Sequence, residues 1–257
     1  MCNAEELLMD DFSLLLDLHR RNYRQGPGGD AQTELAITLA GLNRKQPLKL
    51  ADIGCGTGAS TLCLARHLNA EITAVDFLPD FLESLKQQAE SEDHSGRIET
   101  LEASMEELPF SENAYDVLWA EGAIYNMGFQ NGIENWKRFL KPGGILVASE
   151  ITWLTHDRPD EIQAHWNREY PEIDVASAKI GQLEAAGYSP IGYFTLPESC
   201  WLENYYAPLK DGFEAFLERN GNTDTAEAIV ASELAEIELF EKFKAFYSYG
   251  VYIARKS

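Results

Sequence analysis

A short strand followed at once by three alternating glycines is the feature that most constrains the fold of this chain. The apolar residues of 48–53 are bounded by Pro47 and Gly54, as expected of a strand buried on both faces. Gly54, Gly56 and Gly58 alternate, and leucines then recur at roughly helical spacing over 62–68. Because the start of a helix offers free N–H groups and a positive dipole end, this loop is suited to a nucleotide-like ligand.

An acidic residue follows the next predicted strand. Residues 70–75 form a second apolar run, and Asp76 ends it about 20 residues after the glycines, the spacing at which a carboxylate reaches ribose hydroxyls. A carboxylate can accept two hydrogen bonds from neighbouring hydroxyls. Asp76 is therefore predicted to bind an unphosphorylated ribose.

The glycine loop alone allows two interpretations. Gly54-x-Gly56-x-x-Ala59 also fits the fingerprint of a nicotinamide dehydrogenase. However, Asp52 stands two residues before the first glycine, where that fingerprint is usually apolar, and Gly58 follows Gly56 after one residue. An acid at this position would repel a pyrophosphate and would suit a cationic amino group.

Several further blocks follow in a familiar order. They are LEASMEELPF at 101–110, NAYDVLWAEGAIYNM at 113–127 and FLKPGGILVASE at 139–150. With these blocks and the loop, the sequence resembles the class I S-adenosylmethionine-dependent methyltransferases, and specifically the methyltransferase type 11-like small-molecule enzymes. The resemblance extends from about residue 45 to about residue 200.

Alternating apolar runs and amphipathic stretches predict an α/β fold with strands near 48–53, 70–75, 97–101, 115–120, 144–151, 190–196 and 247–255. The pattern indicates a Rossmann-like doubly wound sheet, and the resemblance implies seven strands, six parallel and one antiparallel. A single domain, 1–257, is expected. Its parts are an N-terminal lid with helices (1–45), a cofactor-binding core (46–151), a helical cap insert (152–178) and the rest of the sheet with a helical insertion (179–257). We assign the acidic stretch 223–246 to packing helices.

The resemblance implies S-adenosylmethionine as cofactor and S-adenosylhomocysteine as product. Asp52 and the loop would face the methionine part, Asp76 would hold the ribose and Phe77 would pack on the adenine. Ser104 and Met105 stand where many relatives have Asp-Ala, so a hydroxyl would meet the adenine amine. The predicted cofactor-binding residues are Tyr23, Asp52, Gly54, Cys55, Gly56, Gly58, Asp76, Phe77, Ser104, Met105, Ala120 and Glu121.

Aromatic residues cluster after the fifth and sixth predicted strands and predict where an acceptor binds. From these clusters we select Trp153 and Tyr205 as candidate substrate residues, and the resemblance implies an acceptor-facing position for Tyr125, just past the fourth predicted strand. Such rings can enclose an apolar or aromatic acceptor, or a cationic amine. Because the sulfonium already activates its methyl group, in-line displacement needs mainly alignment, and we assign no catalytic residue.

Composition limits the partners. A net charge of −21 over 257 residues argues against a nucleic-acid substrate, which would require clustered lysine and arginine. An acidic N-terminus and the lack of an 18-residue apolar run predict a cytoplasmic protein without stable membrane insertion, as a monomer or homodimer. Cys2, Cys55, Cys63 and Cys200 have no metal-site spacing, so no metal is predicted.

The alternatives to a small-molecule methyltransferase are a nicotinamide-dependent oxidoreductase and a non-catalytic cofactor-binding protein.

Overall fold

A mixed sheet of eight strands runs through the protein. The computed structural model describes residues 4–257, with side chains from Phe12 onward, so Cys2 and the start of the acidic N-terminus lie outside the described side chains. The strands are β1 (Leu48–Ile53), β2 (Ala70–Asp76), β3 (Ile98–Glu102), β4 (Tyr115–Ala120), β5 (Leu140–Trp153), β6 (Asp174–Val175), β7 (Tyr188–Thr195) and β8 (Tyr247–Lys256).

The strand order is β3-β2-β1-β4-β5-β8-β7, and β6 pairs with the end of β5. All pairs are parallel except those of β8, which runs antiparallel between β5 and β7. Since the chain winds outward in opposite directions from β1 and β4, the carboxyl ends of these two strands form a topological switch point. Ligands of doubly wound sheets bind at this place.

Eleven helices in the described part of the chain accompany the sheet. They are α1 (Ala4–His19), α2 (Asp30–Leu39), α3 (Ala59–His67), α4 (Pro79–Ser91), α5 (Phe129–Trp136), α6 (Asp160–Glu169), α7 (Ala176–Ala185), α8 (Glu198–Trp201), α9 (Ala207–Asp211), α10 (Phe213–Arg219) and α11 (Asp224–Phe243). A π-helical turn at Leu202–Tyr206 joins α8 to α9, and short 3₁₀ turns cover Ile124–Met127 and Lys137–Phe139.

The sheet is apolar on both faces because its central strands are covered by helices on both sides. Successive residues of a strand point to opposite faces, and β1 follows this rule. Leu50 belongs to the cluster on one face with Val117 of β4, whereas Ala51 belongs to the other cluster with Leu118. The two buried layers fix β1 and β4 in place and hence position the loops at their carboxyl ends.

The structure confirms the predicted doubly wound sheet of six parallel strands and one antiparallel strand. It adds β6, a two-residue strand too short to be recognised from an apolar run. Most of the stretch 223–246 forms the single helix α11, Asp224–Phe243. Within residues 4–257, no helix is both long and apolar enough to cross a membrane.

Candidate functional site

The glycine loop between β1 and α3 is closely packed and tied to the neighbouring strand. The backbone N–H groups of Gly54 and Cys55 both donate to the carbonyl of Val75, at 2.8 and 2.9 Å. Gly54 has a φ of 74° and Gly58 a φ of 95°, a left-handed conformation that favours glycine. A Cβ at Gly54 would collide with Ala123, and one at Gly58 with Leu85. The glycines are therefore required by both conformation and space.

Asp76 ends β2 and fastens the loop from the other side. Its Oδ2 accepts a hydrogen bond from the Gly56 N–H at 2.8 Å, and its Oδ1 accepts one from the Leu78 N–H at 3.0 Å. Burial raises the pKa of this carboxyl group, although these backbone donors oppose the shift. Each oxygen retains acceptor capacity, so the group can still bind a pair of hydroxyls.

A cleft of about 470 Å³ lies between the glycine loop and the segments that follow β2, β3 and β4. We call it the cofactor cleft. Asp76, Phe77, Ser104 and Met105 line it, as the sequence placed them. Phe77 is 68 % exposed, an unusual state for a large apolar residue and one suited to stacking on a flat ligand. The role of each residue stays a prediction.

Asp52 lies beneath the loop rather than on a cavity wall. It is fully buried, and its Oδ2 accepts hydrogen bonds from Ser60 Oγ at 2.8 Å and Thr61 Oγ1 at 2.6 Å. Oδ1 is buried without a hydrogen-bond partner in the described structure. Burial raises the pKa of Asp52 to about 7. The carboxyl group thus holds the first turn of α3 against the end of β1.

The N-terminal leader, residues 20–29, folds over the glycine loop. Gln25 Oε1 accepts hydrogen bonds from the Thr57 N–H at 2.8 Å and the Thr57 hydroxyl at 3.0 Å. Gln25 Nε2 donates to the carbonyl of Asn22 at 2.9 Å. One amide side chain therefore joins the leader to the loop, and it lines the cofactor cleft as well.

A smaller recess of about 70 Å³ separates the leader from the loop and holds charges of both signs. Arg24, only 8 % exposed, pairs with Asp30 at 3.0 Å and with Glu121 at 3.4 Å. Burial alone would lower the pKa of Arg24, but Glu121 and Asp30 raise it, so the guanidinium stays charged. Glu121 also accepts hydrogen bonds from Thr33 and from the indole of Trp119, at 2.7 and 2.9 Å. This recess suits a group carrying both a carboxylate and an ammonium.

A second large cavity, of about 660 Å³, lies beyond Gln25, Gly122 and Tyr125, which also line the cofactor cleft. We call it the aromatic cavity. Its further walls come from α6, the π-helical turn, α11 and β8. Tyr125 and Tyr170 meet edge to face, with ring centroids 6.2 Å apart. Tyr205, predicted as a substrate residue, lies on this wall with Tyr125.

Behind the aromatic cavity, β5 and α7 are joined by a buried ion pair. Lys179 Nζ lies 3.1 Å from Glu150 Oε1, and neither side chain is exposed. The ammonium also lies over the ring of Phe129, 4.9 Å from its centroid. Burial raises the pKa of Glu150 to about 7, although Lys179 opposes this shift.

Besides Asp52 and Gly58, which line none of these three cavities, three further predicted residues are placed away from them. Tyr23 turns outward, and its hydroxyl accepts a 3.4 Å hydrogen bond from Arg66. Ala120 is fully buried in the core of the sheet. Trp153 is 3 % exposed because Arg158 covers its ring at 4.1 Å and Tyr247 packs edge to face against it. The structure does not bring Trp153 to the acceptor side, contrary to our expectation.

Other residues of the site were missed. Arg24 and Gln25 lie in the leader that we predicted as a lid, but only Tyr23 was selected there. Helix α11 was assigned to packing, yet Glu236 and Leu239 line the aromatic cavity. The available sequence signal was the position of Glu236, which is followed by the apolar residues Ile237, Leu239 and Phe240 of an amphipathic helix.

Comparison with known proteins agrees with the fold. Residues 50–144 match a family model described as a methyltransferase domain. The uncharacterized methyltransferase YodH of Bacillus subtilis is 32 % identical over 124 residues, covering 48 % of this chain and 51 % of YodH. The 27-O-demethylrifamycin SV methyltransferase of Amycolatopsis mediterranei is 28 % identical over 195 residues, covering 70 % of this chain and 72 % of that protein. The chain spans about half the length of YodH.

A solved structure extends the likeness to nearly the whole fold. The S-adenosylmethionine-dependent methyltransferase from Geobacter sulfurreducens, crystallised with S-adenosylhomocysteine, superposes with a TM-score of 0.81 at 18 % identity, covering 96 % of this chain and 98 % of that one. This identity is evidence for the fold alone, and the sequence match to a methyltransferase domain covers residues 50–144. Together, the domain match over 50–144, the methyltransferase relatives and the shared fold support a class I S-adenosylmethionine-dependent methyltransferase.

Proposed function

We propose that this protein transfers the methyl group of S-adenosylmethionine to a small molecule bound in the aromatic cavity, releasing S-adenosylhomocysteine. The observation that carries the proposal is the adjacency of the two cavities, which share Gln25, Gly122 and Tyr125 as lining residues. A methyl donor in the cofactor cleft would present its sulfonium at this junction. The strongly negative net charge also favours a small molecule over a nucleic acid as acceptor.

The residues of the cofactor cleft fit an adenosine. Asp76 would accept hydrogen bonds from both ribose hydroxyls, since each of its oxygens retains acceptor capacity. The exposed ring of Phe77 would stack on the adenine, and Met105 would cover the other side. Ser104, whose hydroxyl accepts a 3.2 Å hydrogen bond from the Glu106 N–H, would meet the adenine amine.

The residues of the small recess fit the amino-acid end of the cofactor. Arg24 would bind its carboxylate, and Glu121 its ammonium, because both line the recess and carry the complementary charge. Gly54, Cys55, Gly56 and the nearby loop backbone would cover this part. Asp52 acts from beneath as a positioning residue, through Ser60 and Thr61.

The bound cofactor supplies the chemistry, because its sulfonium activates the methyl group for in-line displacement. The protein aligns the acceptor with that methyl group and excludes water. Tyr125 lines both cavities and would orient the acceptor at their junction. The leader would cover the cofactor and α6 the acceptor, and we assign no general base.

Replacing Arg24 by Gln tests the orientation of the cofactor. S-adenosylhomocysteine affinity is expected to fall about tenfold, because one charge-assisted contact to the carboxylate is lost. 5′-Methylthioadenosine lacks both the carboxylate and the ammonium, so its affinity should stay unchanged. Calorimetric titration of both ligands makes the comparison, and an equal loss for the two would place the amino-acid end elsewhere.

Turnover tests the function itself. Purified protein is incubated with S-adenosylmethionine and panels of small amines, phenols and carboxylic acids, and S-adenosylhomocysteine is quantified by chromatography with mass detection. The proposal predicts S-adenosylhomocysteine and a product heavier by one methylene, in equal amounts, for one panel. Tight cofactor binding with no turnover on any panel would favour the non-catalytic alternative.

A further inference from the structure

The charge and composition of the aromatic cavity restrict what it can bind. Among the described residues that line it, none is a lysine or arginine. Residues 1–11, whose side chains are not described, contain no lysine, arginine or histidine either. Burial lowers the pKa of His165, which keeps this lining residue neutral near pH 7. An anionic acceptor would thus find no side-chain cation.

Glu236 of α11 supplies a negative charge to the cavity. Its carboxylate accepts a hydrogen bond from the Tyr206 hydroxyl at 2.9 Å, and no ion pair joins it to a basic side chain in the described part of the chain. Enclosure by protein raises its pKa, although the residue remains exposed where it faces the open cavity. Its neighbour Glu233, by contrast, lies 3.3 Å from His19. A cation in the cavity would compensate the charge of Glu236.

Ring faces and edges surround this carboxylate. Tyr125 and Tyr170 stand at 82° to one another, and Trp166 meets Tyr247 at 69° with centroids 5.2 Å apart. Rings set nearly at right angles form corners in which a cation can contact more than one π-face. The aliphatic residues that line the cavity are Ile151, Leu239, Pro27 and Ala235. So small an aliphatic surface is a poor match for a long hydrocarbon chain.

We propose that the acceptor carries a cationic ammonium group, and that Glu236 and the surrounding aromatic rings bind this group in the aromatic cavity. The inference rests on the proposed function only in taking this cavity as the acceptor site. The ammonium group is proposed to anchor the acceptor in the cavity, whichever atom of the acceptor receives the methyl group.

Choline and its neutral carbon isostere, 3,3-dimethylbutan-1-ol, test the proposal without turnover. The two probes share their shape and differ in charge. Binding is followed by the fluorescence of Trp166 and Trp201, which line the cavity, and by calorimetry. We expect choline to bind about tenfold more tightly than the isostere or better. Equal affinities, or no binding of either at millimolar concentrations, would overturn the proposal.

Two variants locate the charge that is responsible. Glu236→Gln keeps an acceptor for Tyr206 and is expected to remove the preference for choline while leaving isostere binding unchanged. Glu238→Gln, on an exposed position of the same helix, is the matched control and should keep the preference. A preference that survives in Glu236→Gln would contradict the role of Glu236. S-adenosylhomocysteine is titrated into the same samples. A protein that does not bind it contradicts the proposed function, and this result is distinguished from a loss of the preference for choline.

Discussion

Replacing Asp76 by Asn is expected to weaken S-adenosylhomocysteine binding roughly 30- to 100-fold. The carboxylate would accept two hydroxyl hydrogen bonds from the ribose, and charge-assisted bonds of this kind contribute about 1.5–3 kcal/mol each. Asn has one acceptor oxygen, and its amide cannot accept from the second hydroxyl. The same change also loosens the loop, because Asp76 accepts from the N–H groups of Gly56 and Leu78.

Glu102→Gln provides the matched control for this variant. Glu102 ends β3 directly beside Asp76 in the sheet, and it is exposed. The control should bind S-adenosylhomocysteine like the unaltered protein. Adenosine and 2′,3′-dideoxyadenosine refine the test. The unaltered protein should bind adenosine more tightly than the dideoxy compound, and Asp76→Asn should not show this preference. Unchanged binding by a folded Asp76→Asn protein would remove Asp76 from the cofactor site.

Replacing Lys179 by Met is expected to lower the free energy of unfolding by about 3 kcal/mol at pH 8. Removing one partner of a buried ion pair leaves the other charge uncompensated in a low-dielectric interior. Here the remaining group is Glu150, which is fully buried. Its pKa is already raised to about 7 by burial with Lys179 present, and it should rise further without the ammonium.

The destabilisation should depend on pH in a defined direction. Because the pKa of native Glu150 lies above the unfolded value of 4.5, the native state binds more protons between these values, and stability falls as pH rises through this range. In Lys179→Met the range extends above pH 7, so the loss should be larger at pH 8 than at pH 6. Urea unfolding at both pH values measures it.

Two further variants identify the cause. Adding Glu150→Gln to Lys179→Met removes the uncompensated charge and should recover part of the stability and most of the pH dependence. Lys210→Met, at an exposed lysine, should change stability little. If Lys179→Met proved as stable as the Lys210→Met control at pH 8, the buried pair would not contribute as described.

The glycine loop, Asp76 and the positions of the main strands could be predicted from sequence because each depends on local pattern. Gly54 and Gly58 require left-handed backbone conformations, and Asp76 follows directly from the end of an apolar strand. The antiparallel strand at 247–256 was likewise visible as an aromatic and β-branched run. Predicting these features did not require knowing which distant segments of the chain contact one another.

The remainder of the site depends on contacts between distant parts of the chain. Gln25 reaches Thr57 and Arg24 reaches Glu121 because the leader folds back over the loop, and no local pattern specifies that path. Trp153 and Tyr205 are both aromatic residues near strand or helix ends. The covering Arg158 guanidinium and the packed ring of Tyr247 place Trp153 in the core, while Tyr205 lines the cavity.

Calorimetric titration with S-adenosylhomocysteine, with NAD as a parallel ligand, tests the central claim most directly, because it requires no knowledge of the acceptor. The proposed site predicts micromolar binding of S-adenosylhomocysteine at one site per chain and no measurable binding of NAD. Binding of NAD in its place, or of neither ligand to the folded protein, would contradict the assignment of the cofactor cleft.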